Sequence, residues 1–371
     1  MLGLERTTIN LSAWGKADMG KKLLVLGGGA PNLTLMSGAL LALHQEGIRF
    51  DIFHMAGGGA VTGLVYLAPK FLTPEQSLEN TMNFGVSDVI YSNFPINYKL
   101  FMKGGPEGEA FKNYWQSLPH VRAAMNQYWM NPVEKLESDW LLFQGAMMGP
   151  TDVNFFTSGV CLHVPFIEDI VDFNKLRTNG TKCRLSAYCI ELAKVVKFDE
   201  QEIDLDHFRA AFSFPYIYPP YRIGNVHFYE GAAVNCLELE DPQELSEVDR
   251  IVVFDVLRDD LVHRPRNLVD AYSQSIIVPL VANANKELAI FEYWAQTGVT
   301  IDPTDPEHPV THIRPPLQLQ TPHVLRFSIP REHQPYTLDW SRSNLEMLFD
   351  IGYREGKRFA RDPNNWTLHL P

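Results

Sequence analysis

The residues best suited to chemistry lie in three short stretches. The first, Gly27-Gly28-Gly29-Ala30, follows the apolar run Leu23 to Leu26 and precedes an apolar-periodic segment from Leu33 to His44. Glycines between a strand and a helix let backbone N–H groups point outward at positive φ beside a helix N-terminus, making a pocket for negative charge. Such a pocket cradles a phosphate or holds the oxyanion of an acyl-transfer intermediate; a tight turn without a ligand is the plain alternative. The G-x-G-x-x-G spacing of dinucleotide sites is absent, since Ala30, Pro31 and Asn32 follow, and no G-K-[S/T] marks a phosphate loop. The second stretch, Met55-Ala56-Gly57-Gly58-Gly59-Ala60-Val61-Thr62-Gly63, sits where a sharp strand-to-helix turn would carry a nucleophile. The third, Tyr229-Glu230-Gly231-Ala232-Ala233-Val234-Asn235, holds a carboxylate in a glycine turn and follows Phe212-Ser213-Phe214-Pro215 and Tyr218-Pro219-Pro220. Tyr216 and Tyr218, among these prolines, read equally as a substrate-binding floor or as core packing. His54 precedes the second turn and either faces its pocket or is a buried strand histidine.

Elements that would position these residues can be read from periodicity. Leu23 to Leu26 is a buried strand, Leu33 to His44 a helix ended by Gly47, Arg49 to Met55 a second strand, and Ala60 to Leu67 a helix stopped by Pro69. Two strand–turn–helix cycles within ~45 residues predict a parallel sheet with helices on its faces. Thr73 to Pro150 is rich in aromatics and methionine and reads as a helical insertion capping the sheet. Further strands are expected at Val153 to His163, Arg184 to Lys197, Arg250 to Val256 and Val324 to Ile329. Helices are expected at Leu268 to Thr297 and Ser343 to Phe359, with a Pro-rich loop at Asp302 to Gln320. The organisation predicted is an N-terminal extension (1–21) and one α/β domain (22–371) whose mainly parallel sheet is flanked by helices.

Composition narrows the function classes. With 45% hydrophobic residues there is material for a large core, and a net charge of −12 without a long basic run argues against a nucleic-acid partner. No apolar stretch approaches the roughly 18–20 residues that span a bilayer. Residues 1–22 lack the pattern of a secretory signal, and four cysteines without a C-x-x-C pair fit free thiols in a reducing compartment, so a cytoplasmic location is expected. Cys183 and Cys189, about 20 Å apart along one strand, are beyond disulfide reach. His308 and His312 lie among Asp302, Asp305 and Glu307, but the surrounding prolines forbid a helix to present them; no metal and no cofactor are expected.

Taken in order, the three stretches resemble the patatin-like phospholipases. That family has a glycine-rich oxyanion loop, a G-x-S-x-G elbow, and an aspartate in a D-G-G/A turn that completes a Ser–Asp dyad. The resemblance covers nearly the whole chain: Leu26 to Ile48 for the oxyanion loop and its helix, Asp51 to Gly63 for the elbow, Arg184 to Phe198 for a strand hairpin, Arg209 to Asn235 for the segment leading to the aspartate turn, and Trp340 to Phe359 for the closing helix. It implies a three-layer α/β fold and acyl-ester chemistry on a lipid.

The departures lie at the reacting positions. The serine slot falls on Gly57 in one register and on Gly59 in the other, so neither supplies a hydroxyl; the nearest hydroxyls are Thr62, in the helix that follows, and Ser37, on the preceding helix. The carboxylate is one methylene longer, Glu230, and Pro31 stands where the family has Arg or Lys. Three functions are open on this reading: a degenerate protein binding a lipid or acyl ligand, free or on a carrier; a repurposed enzyme with Glu230 as general base and the glycine loop Gly27 to Ala30 as oxyanion hole; and a residual acyl hydrolase. Arg354, Lys357, Arg358 and Arg361 on the last helix form a solvated face or a peripheral membrane contact. The oligomeric state is open.

Overall fold

The computed structural model describes residues 20–29, 32–101, 104–125, 131–164, 166–239, 245, 248–297, 299–301, 310–312, 322–330, 332–333 and 339–366. β1 (Lys21–Leu26) leads to α1 (Leu33–Gln45), β2 (Ile52–Met55) and α2 (Gly58–Leu67). The insertion follows as α3 (Pro74–Asn80), α4 (Asp88–Asn93), α5 (Tyr98–Phe101), α6 (Pro106–Ser117), α7 (Pro119–Met125) and α8 (Pro132–Met148). Next come the short helices α9 (Ile167–Ile170) and α10 (Phe173–Thr178), the hairpin β3 (Lys182–Cys189) and β4 (Lys194–Asp199), α11 (Leu205–Ala211), and the hairpin β5 (Tyr221–Ile223) and β6 (Val226–Glu230). The chain continues with β7 (Val248–Asp255), α12 (Leu268–Thr297), β8 (Val299–Ile301), β9 (Val310–His312), β10 (His323–Arg326) and α13 (Arg342–Arg361).

The main sheet has the order β10-β7-β1-β2-β3-β6-β5, with β4 on the other side of β3. β10, β7, β1, β2 and β3 run parallel, whereas β4, β5 and β6 are antiparallel additions. β1 is fully apolar over Leu23–Leu26 and buried on both faces, as a central parallel strand requires. β3 links two parts of the sheet: Lys182–Leu185 pairs with β2, and Ala187–Cys189 pairs with β6. That double pairing carries the end of β6, and with it Glu230, to the sheet edge where β1 and β2 end. The winding direction reverses at β1, between β2 and β7, and crevices at the carboxyl ends of such strands are the usual ligand sites of open α/β sheets.

Helices cover both faces, with α13 packed lengthwise along α1. The insertion has its own polar anchor. Asp139 of α8 pairs with Lys99 at 2.5 Å, accepts from the Tyr98 hydroxyl at 3.0 Å, and accepts from the backbone of Ser87. α8 begins with a capping box in which Asn131 accepts from Val133 and Glu134 N–H while the Glu134 side chain reaches back.

Three sequence expectations need correction. Val153–His163 is a loop with a single bridge from Gly159 to Tyr216, because Asn154 ties its own turn by accepting from Phe156 N–H. Arg184–Lys197 is not one strand but parts of two, broken by a turn in which Ala193 has φ +49. Cys183 and Cys189 do lie along one strand, β3, and all four cysteines are free and buried. Within the expected Pro-rich loop, Val310–His312 pairs with β8 as a small hairpin; His308 and most of 302–320 lie outside the described residues, as do the extension 1–19, Ala30 and Pro31. Among the described residues no helix is long and apolar enough to cross a membrane.

Candidate active site

Gly57 forms the apex between β2 and α2. Its φ of +47° and ψ of −124° make it the residue that caps α2 in a conformation open to glycine and strained for any other residue. The chain folds sharply here because α2 must return directly over β1 and β2. Gly59 permits this: a Cβ placed on it would stand 2.1 Å from the Leu26 carbonyl oxygen, within the backbone of β1. Thus Gly57 is at the tip and Gly59 is at the helix–strand contact. In the alternative alignment Gly59 would carry the functional side chain, but here its Cα faces the sheet.

Glu230 ends β6 and reaches the same tip. A Cβ placed on Gly57 would lie 2.1 Å from Glu230 Oε1 and 3.2 Å from Cδ, so the carboxyl group occupies the volume that a side chain at 57 would need. Ala232, in the turn after Glu230, closes the space from the other side, 3.2 Å from the same point. Glu230 is only 8% exposed, and burial pushes its pKa up to about 8, so it holds its proton at neutral pH. Among the described residues no hydroxyl, thiol or imidazole hydrogen-bonds to its carboxylate.

Hydroxyls and thiols nearby are engaged elsewhere. Thr62 donates to the Leu33 carbonyl at 3.1 Å and pins α2 to α1, while Ser37 donates to the same carbonyl at 2.9 Å within α1. The Cys236 thiol contacts the Ala232 carbonyl at 3.1 Å, and burial raises its pKa. Tyr218 is fully buried, and its hydroxyl donates to the Leu100 carbonyl at 2.6 Å. Tyr216, with φ +74, is 62% exposed and lies against Tyr272 with its ring tilted at 58°, rather than flooring the turn. His54 is buried with Nδ1 at 3.2 Å from the Glu238 carbonyl, and burial lowers its pKa to about 3, so it is neutral.

The glycine loop lies beside the apex but is partly committed. Gly28 N–H donates to the Cys236 carbonyl at 3.2 Å, which leaves it unable to serve an oxyanion. Gly29, with φ +120, and Gly58, the first residue of α2, have N–H groups that no described residue accepts. A Cβ on Gly28 would meet Ala232 Cβ at 2.5 Å, so the loop and the Glu230 turn touch. Asn32, just beyond the loop, donates to the Val256 carbonyl at 3.2 Å and ties α1 to the end of β7. One contributor is not singled out by the sequence. Glu287 of α12 accepts from the N–H groups of Cys236 and Leu237, at 2.6 and 2.7 Å, and so holds the segment that accepts from Gly28. It has no local sequence signal, because it acts on residues about 50 positions away along the chain. Ala232, the small residue of the Glu230 turn, fills the space beside Gly28 and Gly57. The basic residues of α13 are largely neutralised in place: Arg358 pairs with Glu355 and Arg361 with Glu46, while Lys357 lies over Tyr353.

A model of the patatin-like phospholipase family matches residues 24–240, more than half of the chain. The chain belongs to the patatin-like phospholipase family. Among solved structures, VipD from Legionella pneumophila is similar over 90% of this chain and 67% of its own length, at 12% identity and a TM-score of 0.38. No curated protein matches. Family membership places the chain among proteins of lipid acyl-hydrolase type with an α/β fold whose sheet is mainly parallel.

Proposed function

We propose that the protein binds a lipid or acyl ligand and no longer carries out Ser–Asp lipolysis. One juxtaposition carries this reading: the apex residue Gly57 has no side chain, and the protonated carboxyl of Glu230 fills the place where a nucleophile would stand. Acyl hydrolysis in this family's manner passes through an acyl-serine, and a hydrogen atom has no lone pair to acylate. Without the nucleophile, only the modest acceleration due to binding and oxyanion donors is left. Here one of those donors, Gly28 N–H, is already spent on Cys236.

A fluorophosphonate probe, which phosphonylates activated serines, tests this reading. The expected result is no labelling of the full chain and no hydrolysis of nitrophenyl esters above background, together with retention of fatty-acid or lysophospholipid ligands in native mass spectra. Stoichiometric labelling would overturn it.

A second reading is favoured by the raised pKa of Glu230: a carboxyl that titrates at about 8 is matched to proton abstraction α to a carbonyl. Gly29 and Gly58 N–H groups would then hold the enolate of an acyl thioester, and the apex would have to open to admit it. Turnover of such a substrate that Glu230→Gln abolishes would establish this alternative over simple binding.

A further inference from the structure

The insertion encloses a cavity of about 340 Å³, within the range of ~300–1,000 Å³ typical of small-molecule sites. Its walls are mostly apolar: Leu100 of α5, Phe111 and Trp115 of α6, Leu142 of α8, and Phe84 and Phe166 from the flanking loops. Phe111 and Trp115 stack at 6.2 Å, and Trp115 is fixed by donating from Nε1 to the Leu141 carbonyl at 2.9 Å. A second cavity of about 200 Å³, lined by Val65, Phe71 and Leu72, shares Phe84, Asp169 and Ile170 with the first. The two therefore adjoin along these residues. None of the lining residues belongs to the glycine turns or to the Glu230 turn.

The polar groups in the walls limit what the cavity accepts. Lys112 stands 3.7 Å from Glu109, so their charges offset one another, and Lys99 is committed to Asp139. Burial raises the pKa of Asp169. A polyanion such as a nucleotide would find little uncompensated positive charge here. An unbranched hydrocarbon chain needs only dispersion contact along its length and one polar anchor at its head.

We infer that this cavity, rather than the glycine turn, holds the acyl chain of a single-chain lipid, a fatty acid or a lysophospholipid. The inference rests on the acyl-binding reading above and assigns it a place. Tyr218 is buried with its hydroxyl on the carbonyl of Leu100, one of the lining residues, and lies within electrostatic reach of Glu230, so it connects the cavity wall with the Glu230 turn.

Bromine quenching of tryptophan fluorescence tests the assignment on the full chain. The probes are a fatty acid brominated at mid-chain and a lysophosphatidylcholine brominated at the same depth. Quenching by one alone identifies the source of the chain; quenching by both means that the hydrocarbon is recognised without its head group. In either case Trp115→Phe is expected to remove at least half of the quenching, although the chain has seven tryptophans. The variant keeps the aromatic stack and loses a single hydrogen bond, so it is expected to fold. Ala146→Phe, which fills the cavity from α8, is expected to weaken binding at least tenfold. Full quenching in Trp115→Phe with tight binding by Ala146→Phe would overturn the assignment and leave acyl binding standing. Failure of both probes to bind in native mass spectra would overturn the two together.

Discussion

Replacing Glu230 by Gln is expected to make the protein more stable at alkaline pH, by roughly 5 kcal/mol above pH 8. The sign follows from where the proton sits. Below pH 4.5 the carboxyl is protonated in both folded and unfolded chains and contributes no pH dependence. Between 4.5 and about 8 the unfolded chain ionises while the folded one keeps its proton, so the folded state binds more protons and stability falls as pH rises. Above 8 both are ionised, and the full penalty of a buried carboxylate is present. Glutamine keeps the shape and removes the titration. Urea unfolding at pH 5, 7 and 9 measures the effect as the difference between the two proteins, which cancels groups they share. His54 acts with the opposite sign: held at about 3, it disfavours the folded state as pH falls below 6.5. The two windows overlap between 4.5 and 6.5, where the opposing slopes cancel, so the combined contribution of these two groups is most favourable there. A wild type and variant with the same pH profile would mean that Glu230 is not buried in its neutral form.

Restoring a hydroxyl at the apex is expected to succeed only when Glu230 is shortened. Gly57→Ser alone places a side chain at φ +47 and pushes its Cβ into the Glu230 carboxyl. The backbone strain is worth about 1–3 kcal/mol, and displacing the carboxyl adds to it. Glu230→Asp withdraws the carboxyl by one methylene and relieves the clash but not the strain. Unfolding of the two single variants and the double should therefore be non-additive, with a favourable coupling of about 1 kcal/mol or more. Esterase activity and fluorophosphonate labelling are expected in the double variant and not in Gly57→Ser. Gly59→Ser is the control: its Cβ meets the Leu26 carbonyl, main chain of a buried strand that cannot turn aside, so a loss of about 4 kcal/mol or more is expected with no activity gained. Additive stabilities in the cycle, or activity from Gly59→Ser, would show that the apex is built differently.

The sequence was informative wherever a signal is local. The apolar run at Leu23–Leu26, the two glycine turns and the periodic segments after them report backbone geometry within a dozen residues, and β1, α1, β2 and α2 stand where that geometry puts them. The long α12 and the amphipathic α13 were legible for the same reason. Residues 153–163 form a loop rather than a strand because short clusters of apolar residues such as Phe155-Phe156 and Val160-Cys161-Leu162 are compatible with either, and here an asparagine side chain ties the turn. The absence of a serine near the apex was also plain in the sequence. Which of Gly57 and Gly59 forms the tip was not, since both registers fit the spacing and only contact with β1 separates them.

Long-range pairing decided the rest. Glu230 reaches Gly57 across more than 170 residues of chain because β3 pairs with both β2 and β6, a register that no local pattern encodes. The same holds for Glu287 bracing Cys236, for Tyr218 turning to Leu100 instead of the glycine turn, and for the cavity between α5, α6 and α8. Composition fixed that these side chains would be apolar or acidic; burial against distant neighbours determined which charge each carries and which space each fills.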